Sequence, residues 1–346
     1  MTNVPILSDA KIKGKRVLLR LDTDIPLYGN KVTDDFRLKV TCPTIEYLLH
    51  KGVGQIIILG KLGRPNGYDK RFSLRPVAKR LEKLLEEKIT LVKVPKVSKV
   101  SEVPKEKIIM LENLRFDKGE EENDSKFVKK LASLGDLYVN ESFADSHRKH
   151  ASIVGVPREF KSKFKFMGFR FAQEIENLSK VLDNPKRPVV FIIGGAKSDK
   201  ADYIDELLNY GDWVLVGGLL PRIVKSTLRN DGKICVSAAH LLPGGFDIDS
   251  ASAINFAAIT AAAGTIVWNG PLGKYEESKY MHGTEIVARA VGANSDAFRV
   301  IGGADTAACL KKIGILDKMN WVSTGGGAML EFLATGTLPG IEALKK

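Results

Sequence analysis

The residues best suited to chemistry in this chain are basic side chains set beside glycines. Val189–Lys200 reads Val-Val-Phe-Ile-Ile-Gly-Gly-Ala-Lys-Ser-Asp-Lys. Its apolar, mostly β-branched residues form a buried parallel strand. Gly194-Gly195 ends that strand, and Ser198 and Asp199 favour a helix start. A glycine turn running into a helix N-terminus offers backbone N–H groups and a favourable dipole to an anion. Lys197 and Lys200 are three apart, so on such a helix they share one face and both reach the anion. An ordinary βα turn with two solvated lysines reads the same locally, and the rest of the chain decides between the two.

The first half carries a second pattern. Asp22-Thr23-Asp24-Ile25-Pro26 follows an apolar strand, where α/β folds bind ligands. A D-x-D after a strand also suggests a haloacid-dehalogenase-type nucleophile, but Pro26 stands where that motif wants Thr or Val. Successive strands deliver Arg20, Arg64, Arg115 and Arg148 at their carboxyl edges, with Arg37 on the intervening segment. Arginine suits bidentate contact with phosphate or carboxylate. Together these arginines form a basic bowl for a small, highly anionic ligand.

The elements that must position these groups alternate. Strands are expected at 16–21, 55–59, 89–93, 108–111 and 136–140, with helices at 38–51, 74–87 and 124–134. A Lys/Val/Pro-rich stretch from 93 to 107 reads as a surface excursion. Helix 172–183 is the expected connector, followed by strands at 189–193, 213–216, 265–268 and 299–301. Residues 250–273 carry no charge but split into an Ala-rich helix, a stop at Gly264 and a strand, so they make a poor membrane span.

A chain of 346 residues suggests two domains, and 44% hydrophobic with 27% charged residues is ordinary for a globular protein. Cys42, Cys235 and Cys309 are far apart, which points to a reducing compartment and to neither a disulfide framework nor a zinc site. No secretory signal is visible at the start, and a cytoplasmic location is expected. The net charge of +12 is spread out, without a dense basic block or interleaved aromatics. It fits attraction of small phosphorylated anions as well as nucleic acid.

The motifs jointly resemble phosphoglycerate kinase. The resemblance rests on Leu19-Arg20-Leu21-Asp22-x-x-Ile25-Pro26-Leu27, Thr33-Asp34-Asp35-x-Arg37, Leu62-Gly63-Arg64-Pro65, Leu111-Glu112-Asn113-Leu114-Arg115-Phe116 and His147-Arg148-x-His150-Ala151-Ser152. It continues with Gly194-Gly195-Ala196-Lys197, Trp268-Asn269-Gly270-Pro271-Leu272-Gly273, Gly302-Gly303-Ala304-Asp305-Thr306 and Ser323-Thr324-Gly325-Gly326-Gly327-Ala328. It implies an α/β protein of two Rossmann-like parallel-sheet domains, joined by a hinge helix and facing each other across a cleft. Residues 1–168 with a tail at 336–346 would form the phosphoglycerate-binding domain, and 169–335 the nucleotide-binding domain.

The implied reaction is reversible transfer of the acyl phosphate of 1,3-bisphosphoglycerate to ADP. Arg37, Lys197, Lys200 and the amides of Gly325, Gly326 and Gly327 would surround the moving phosphoryl group. Asp22, Asp24, Arg37, Lys61, Arg64, Arg115 and Arg148 would bind the acid. Gly194, Gly195, Lys197, Lys200, Asn269, Gly303, Ala304, Asp305 and Thr306 would bind the nucleotide, with Glu276 on a ribose hydroxyl. A carboxylate among phosphate-binding amides is well placed for Mg²⁺, so Asp305 is assigned to the metal. His147 and His150 read as structural supports. The expected partners are small molecules, with no nucleic acid and no membrane, and a monomer is expected. No Walker A or protein-kinase motif set is present.

There are departures. The family usually has Asn at Asp24 and His at Lys61, and a smaller Gly-containing run where Asn140–Asp145 stands. One residue is missing between Lys197 and Lys200. The segment from Gly218 to Trp268 is much shorter than usual, which thins the adenine pocket. A diverged acyl-phosphate kinase using another acid or donor, or an inactive anion-binding relative, are the competing readings.

Overall fold

The computed structural model describes residues 4–93, 104–239 and 243–345. The 93–107 excursion therefore lies mostly outside the described residues. The chain divides into two compact units, Met1–Ile175 with Leu338–Lys346, and Glu176–Thr337. The division falls within the helix Phe169–Leu182, which both units share.

The first unit is built on β1 (Arg16–Arg20), β4 (Gln55–Leu59), β5 (Ile89–Val92), β6 (Ile108–Leu111), β7 (Leu137–Asn140) and β8 (Lys165–Met167), with a small β2–β3 hairpin at Leu27–Tyr28 and Lys31–Val32. The sheet order is β5-β6-β4-β1-β7-β8, parallel throughout. Its central strands are continuous apolar runs because helices cover both faces. Val17, Leu19, Ile56, Ile58 and Met110 pack against Leu48, Val77 and Leu81 of those helices. The helix expected over 38–51 is two, Phe36–Lys39 and Cys42–His50. Pro43 lacks an N–H and cannot continue a helix, but it can open one.

The second unit contains β9 (Val189–Ile193), β10 (Trp213–Val216), β11 (Thr227–Leu228), β12 (Ile234–Ser237), β13 (Thr265–Asn269), β14 (Phe298–Gly302) and β15 (Trp321–Ser323). Its order is β11-β12-β10-β9-β13-β14-β15, parallel except for the short edge strand β11. In each sheet the chain fills one side of its first strand, then crosses to the other side. The switch points are β1/β7 and β9/β13, where ligands of open α/β sheets bind.

The final helix, Pro339–Leu344, belongs to the first unit. Gly340 N–H donates to the Ser146 carbonyl at 2.8 Å, and Lys165 Nζ to the Ala343 carbonyl at 2.9 Å. The C-terminal segment thus props the loop after β7. Among the described residues, no helix is long and apolar enough to cross a membrane.

Candidate active site

In the first unit the candidate residues come from the carboxyl ends of β6, β4, β1 and β7, four neighbours in the sheet. Asp22 is buried and ion-paired to Arg37 Nη1 at 3.2 Å, and Arg37 also donates to the Asp24 carbonyl at 3.1 Å. Burial pushes the Asp22 carboxyl up, with Arg37 opposing it, while Asp22 holds Arg37 above its ordinary value. One Asp24 oxygen accepts the Gly63 N–H at 2.9 Å and the other pairs with Lys61 Nζ. The charges added at positions 24 and 61 therefore meet directly.

The loop carrying Arg64 is fixed from several sides. Asn113 Nδ2 donates to the Leu62 carbonyl at 2.7 Å, Arg115 Nη1 to Gly63 at 2.5 Å, and Thr23 Oγ1 to Lys61 at 2.8 Å. Arg64 itself is exposed. Arg115 is buried beneath the loop, with Nε 3.1 Å from Glu121, so part of its fork is already engaged.

Arg20 does not line the bowl. It is fully buried, donating to Ser152 Oγ, the Leu21 carbonyl and Asp145 Oδ2. An arginine inside a strand covered on both faces has no route to solvent and takes internal partners instead. Asp145, which the sequence reading left out, stands 2.9 Å from Arg20, 3.0 Å from Lys61 and 3.8 Å from Arg148. The usable signal was its place just after β7, the strand beside β1.

His147 and His150 flank Arg148. Burial pushes both rings down, to about 4 and about 3, reinforced chiefly by Arg148 and Arg115 respectively. Both rings are therefore uncharged near neutral pH.

In the second unit the candidates come from β9, β13, β14 and β15, again neighbours. The N–H groups of Gly194 and Gly195 do not face a ligand: they donate to the Asn269 and Pro271 carbonyls at 2.9 and 2.8 Å. Gly270 closes the same junction with φ +93°, and a Cβ there would strike the Gly194 backbone. The expected helix begins as a 3₁₀ turn, Ser198–Tyr203, so Lys197 lies outside it and the shared-face reading of the two lysines does not hold. Lys197 is exposed, whereas Lys200 Nζ turns back to the Gly194 carbonyl at 2.7 Å. Burial lowers Lys200 to about 8, with Asp305 opposing.

Thr306 is buried, donating to the Gly302 carbonyl at 2.8 Å and accepting from Gly270 N–H at 2.7 Å. Asn269 Nδ2 donates to the Gly326 carbonyl at 3.0 Å, tying β13 to the Gly325–Gly327 turn. Gly303 (φ +94°), Ala304 and exposed Asp305 open the helix Ala304–Ile313. Gly327 opens the helix Gly327–Thr335. The first amides of both helices have no intrahelical acceptor. The segment bearing exposed Glu276 is tied to the last turn of Ala304–Ile313, where Lys312 Nζ donates to the Tyr275 carbonyl at 2.7 Å.

Each unit thus gathers basic side chains and glycine turns at the carboxyl edge of its sheet, around a switch point. The Phosphoglycerate kinase family profile matches residues 7–241 and 223–336. Phosphoglycerate kinase of Moorella thermoacetica is 39% identical over 390 aligned positions, covering 98% of each chain. The chain belongs to the phosphoglycerate kinase family. The enzyme of that name from Acidobacterium capsulatum is likewise 39% identical, over 98% of each chain. The structure of phosphoglycerate kinase from Coxiella burnetii shares 33% identity with a TM-score of 0.81, covering 99% of this chain and 98% of that one.

The 390 positions aligned to the Moorella phosphoglycerate kinase exceed the 346 residues here, so the relative has residues without a counterpart. The family match breaks into two stretches sharing residues 223–241, inside the segment read as shortened.

Proposed function

We propose that this chain works as a phosphoglycerate kinase, passing the acyl phosphate of 1,3-bisphosphoglycerate reversibly to ADP. The observation that carries the proposal is membership of the family over 98% of the chain. The sequence retains Arg37, Lys197, Asp305 and the Gly325–Gly327 turn, which favours this reading over an inactive relative.

In this proposal the first unit binds the acid. Arg64, Arg115 and Arg148 hold its phosphate, Asp22 and Asp24 take the hydroxyl and orient the cations, and Lys61 completes the bowl. The second unit binds the nucleotide, with Glu276 on the ribose and the amides at Gly303–Thr306 on the phosphates. Lys197 reaches the moving phosphoryl group from the turn after β9. Lys200, Gly194, Gly195, Asn269 and Thr306 build that site by tying its turns together.

The attacking ADP oxygen is already ionised, so no general base is needed. In-line positioning and neutralisation of equatorial charge do the work, from Arg37, Lys197 and the Gly325–Gly327 amides. Donor and acceptor are read by different units, so transfer is proposed to require closure about the shared helix, which also excludes water.

Mg²⁺ belongs to the proposal. Among the described residues there is no cluster of three metal-ligating side chains, and Asp305 is a single exposed carboxylate at a helix start. That donor set suits Mg²⁺, which is usually held by one or two carboxylates and the substrate phosphates. It would supply charge neutralisation on the nucleotide. A cytoplasmic monomer completes the proposal.

The test is ADP release from MgATP with a panel of small carboxylic acids, with and without chelator. Release that depends on 3-phosphoglycerate and on Mg²⁺ is expected. A stronger response to another acid would overturn the substrate assignment.

A further inference from the structure

Asp145 has no role in the reaction as read so far, yet it faces three cations. Its Oδ1 lies 3.0 Å from Lys61 Nζ and 3.8 Å from Arg148 Nε. Its Oδ2 lies 2.9 Å from Arg20 Nη2 and 3.2 Å from Ser142 Oγ. Asp145 is 3% exposed and the Lys61 side chain 4% exposed. A buried ammonium is costly unless anions neutralise it. Asp24 supplies one carboxylate and Asp145 the second.

Asp24, Lys61, Asp145 and Arg148 thus form one contact network. We propose that Asp145 is a positioning residue for phosphoglycerate binding, holding Lys61 and Arg148 in the arrangement that receives the acid. The inference rests on the first unit being the acid site.

Two consequences follow from the contacts. Without the Asp145 charge, Lys61 keeps only Asp24, whose other oxygen anchors Gly63 and so the loop bearing Arg64. Arg148 loses the carboxylate beside its Nε, which has no hydrogen-bond partner. Both changes displace cations that read the substrate phosphate. Neither touches the turns after β9, β13, β14 and β15.

The experiment is steady-state kinetics of full-length Asp145→Asn with 3-phosphoglycerate and MgATP, alongside thermal melting. KM for 3-phosphoglycerate should rise about tenfold, because small displacements of positioning groups are expensive, with kcat within about threefold and KM for MgATP within about twofold. In Lys61→His the second carboxylate has no ammonium to hold. Adding Asp145→Asn there should change KM by about threefold at most, a clear non-additivity. Should Asp145→Asn fail to fold, Asp145→Glu carries the test, since its longer arm displaces the same cations and should selectively raise the same KM.

A purely structural role would instead lower the melting temperature and kcat with KM unchanged, and that result overturns the inference. So do strict additivity with Lys61→His or equal changes in both KM values. A wild-type chain without 3-phosphoglycerate-dependent turnover would overturn the proposed function and this inference with it. An active wild type with an indifferent Asp145 overturns the inference alone.

Discussion

Arg37 is tied to Asp22 and the Asp24 carbonyl, which fixes where its charge points. In Arg37→Ala, turnover should fall by about 10²–10³-fold, as when a preorganised partner of transition-state charge is removed. Steady-state rates at saturating substrates check it, and an unchanged rate would remove Arg37 from the mechanism. His150 gives the residue scale its pH dependence. Its folded pKa, about 3, lies below the ordinary 6.5, so the folded ring stays neutral where the unfolded one charges. Stability from this group is present above 6.5 and lost as pH falls. Glu141, pushed up to about 7 by burial, acts in the opposite sense between its ordinary 4.5 and 7, so the net slope alone does not isolate the histidine. Denaturation of wild type and His150→Gln between pH 4 and 6.5 should do so: the variant should lose less stability on acidification, by at most about 1.4 kcal/mol per pH unit. Equal slopes would mean that the folded ring titrates normally.

The elements show what was legible. Strands 55–59, 108–111, 189–193 and 213–216 were readable to the residue, because a strand covered on both faces must be an unbroken apolar run. The places of the glycine turns were readable too, but not the partners of the Gly194 and Gly195 amides. What local pattern does not carry is the tertiary partner. Lys200 reads as a phosphate ligand until its ammonium is seen on the Gly194 carbonyl, and Arg20 reads as one of the bowl arginines until β1 is seen buried between β4 and β7. Asp145 was missed because two of its three cations, Arg20 and Lys61, come from distant segments. Glu141 caps the shared helix by accepting from the Arg170 and Phe171 N–H groups at 3.0 Å each, another link across many residues. At this scale Gly270 is the sharpest probe. Gly270→Ala places a side chain at positive φ and against the Gly194 backbone. Calorimetry should show MgADP binding weakened by at least about tenfold, or ~1.4 kcal/mol, with 3-phosphoglycerate binding kept. Equal loss of both would mean that the junction supports the whole chain rather than the nucleotide edge.

Over the whole molecule, the aligned relative is longer than this chain, and the family match breaks at residues 223–241. The residues proposed for phosphate, metal and ribose lie outside that stretch, so in the proposed reading it is the wall of the base pocket that a shortening there would thin. Less apolar wall means less burial of the base, at about 25 cal/mol per Å². MgADP and MgGDP should therefore bind within about tenfold of each other, ~1.4 kcal/mol, when titrated calorimetrically under one set of conditions. A thousandfold preference for ADP would show that other residues rebuild the pocket. The most direct measurement of the central claim is a coupled assay of the full chain with 3-phosphoglycerate and MgATP, following formation of the acyl phosphate. The account predicts sustained turnover that needs both substrates and stops when Mg²⁺ is chelated. A folded chain that binds both ligands but forms no acyl phosphate would contradict it.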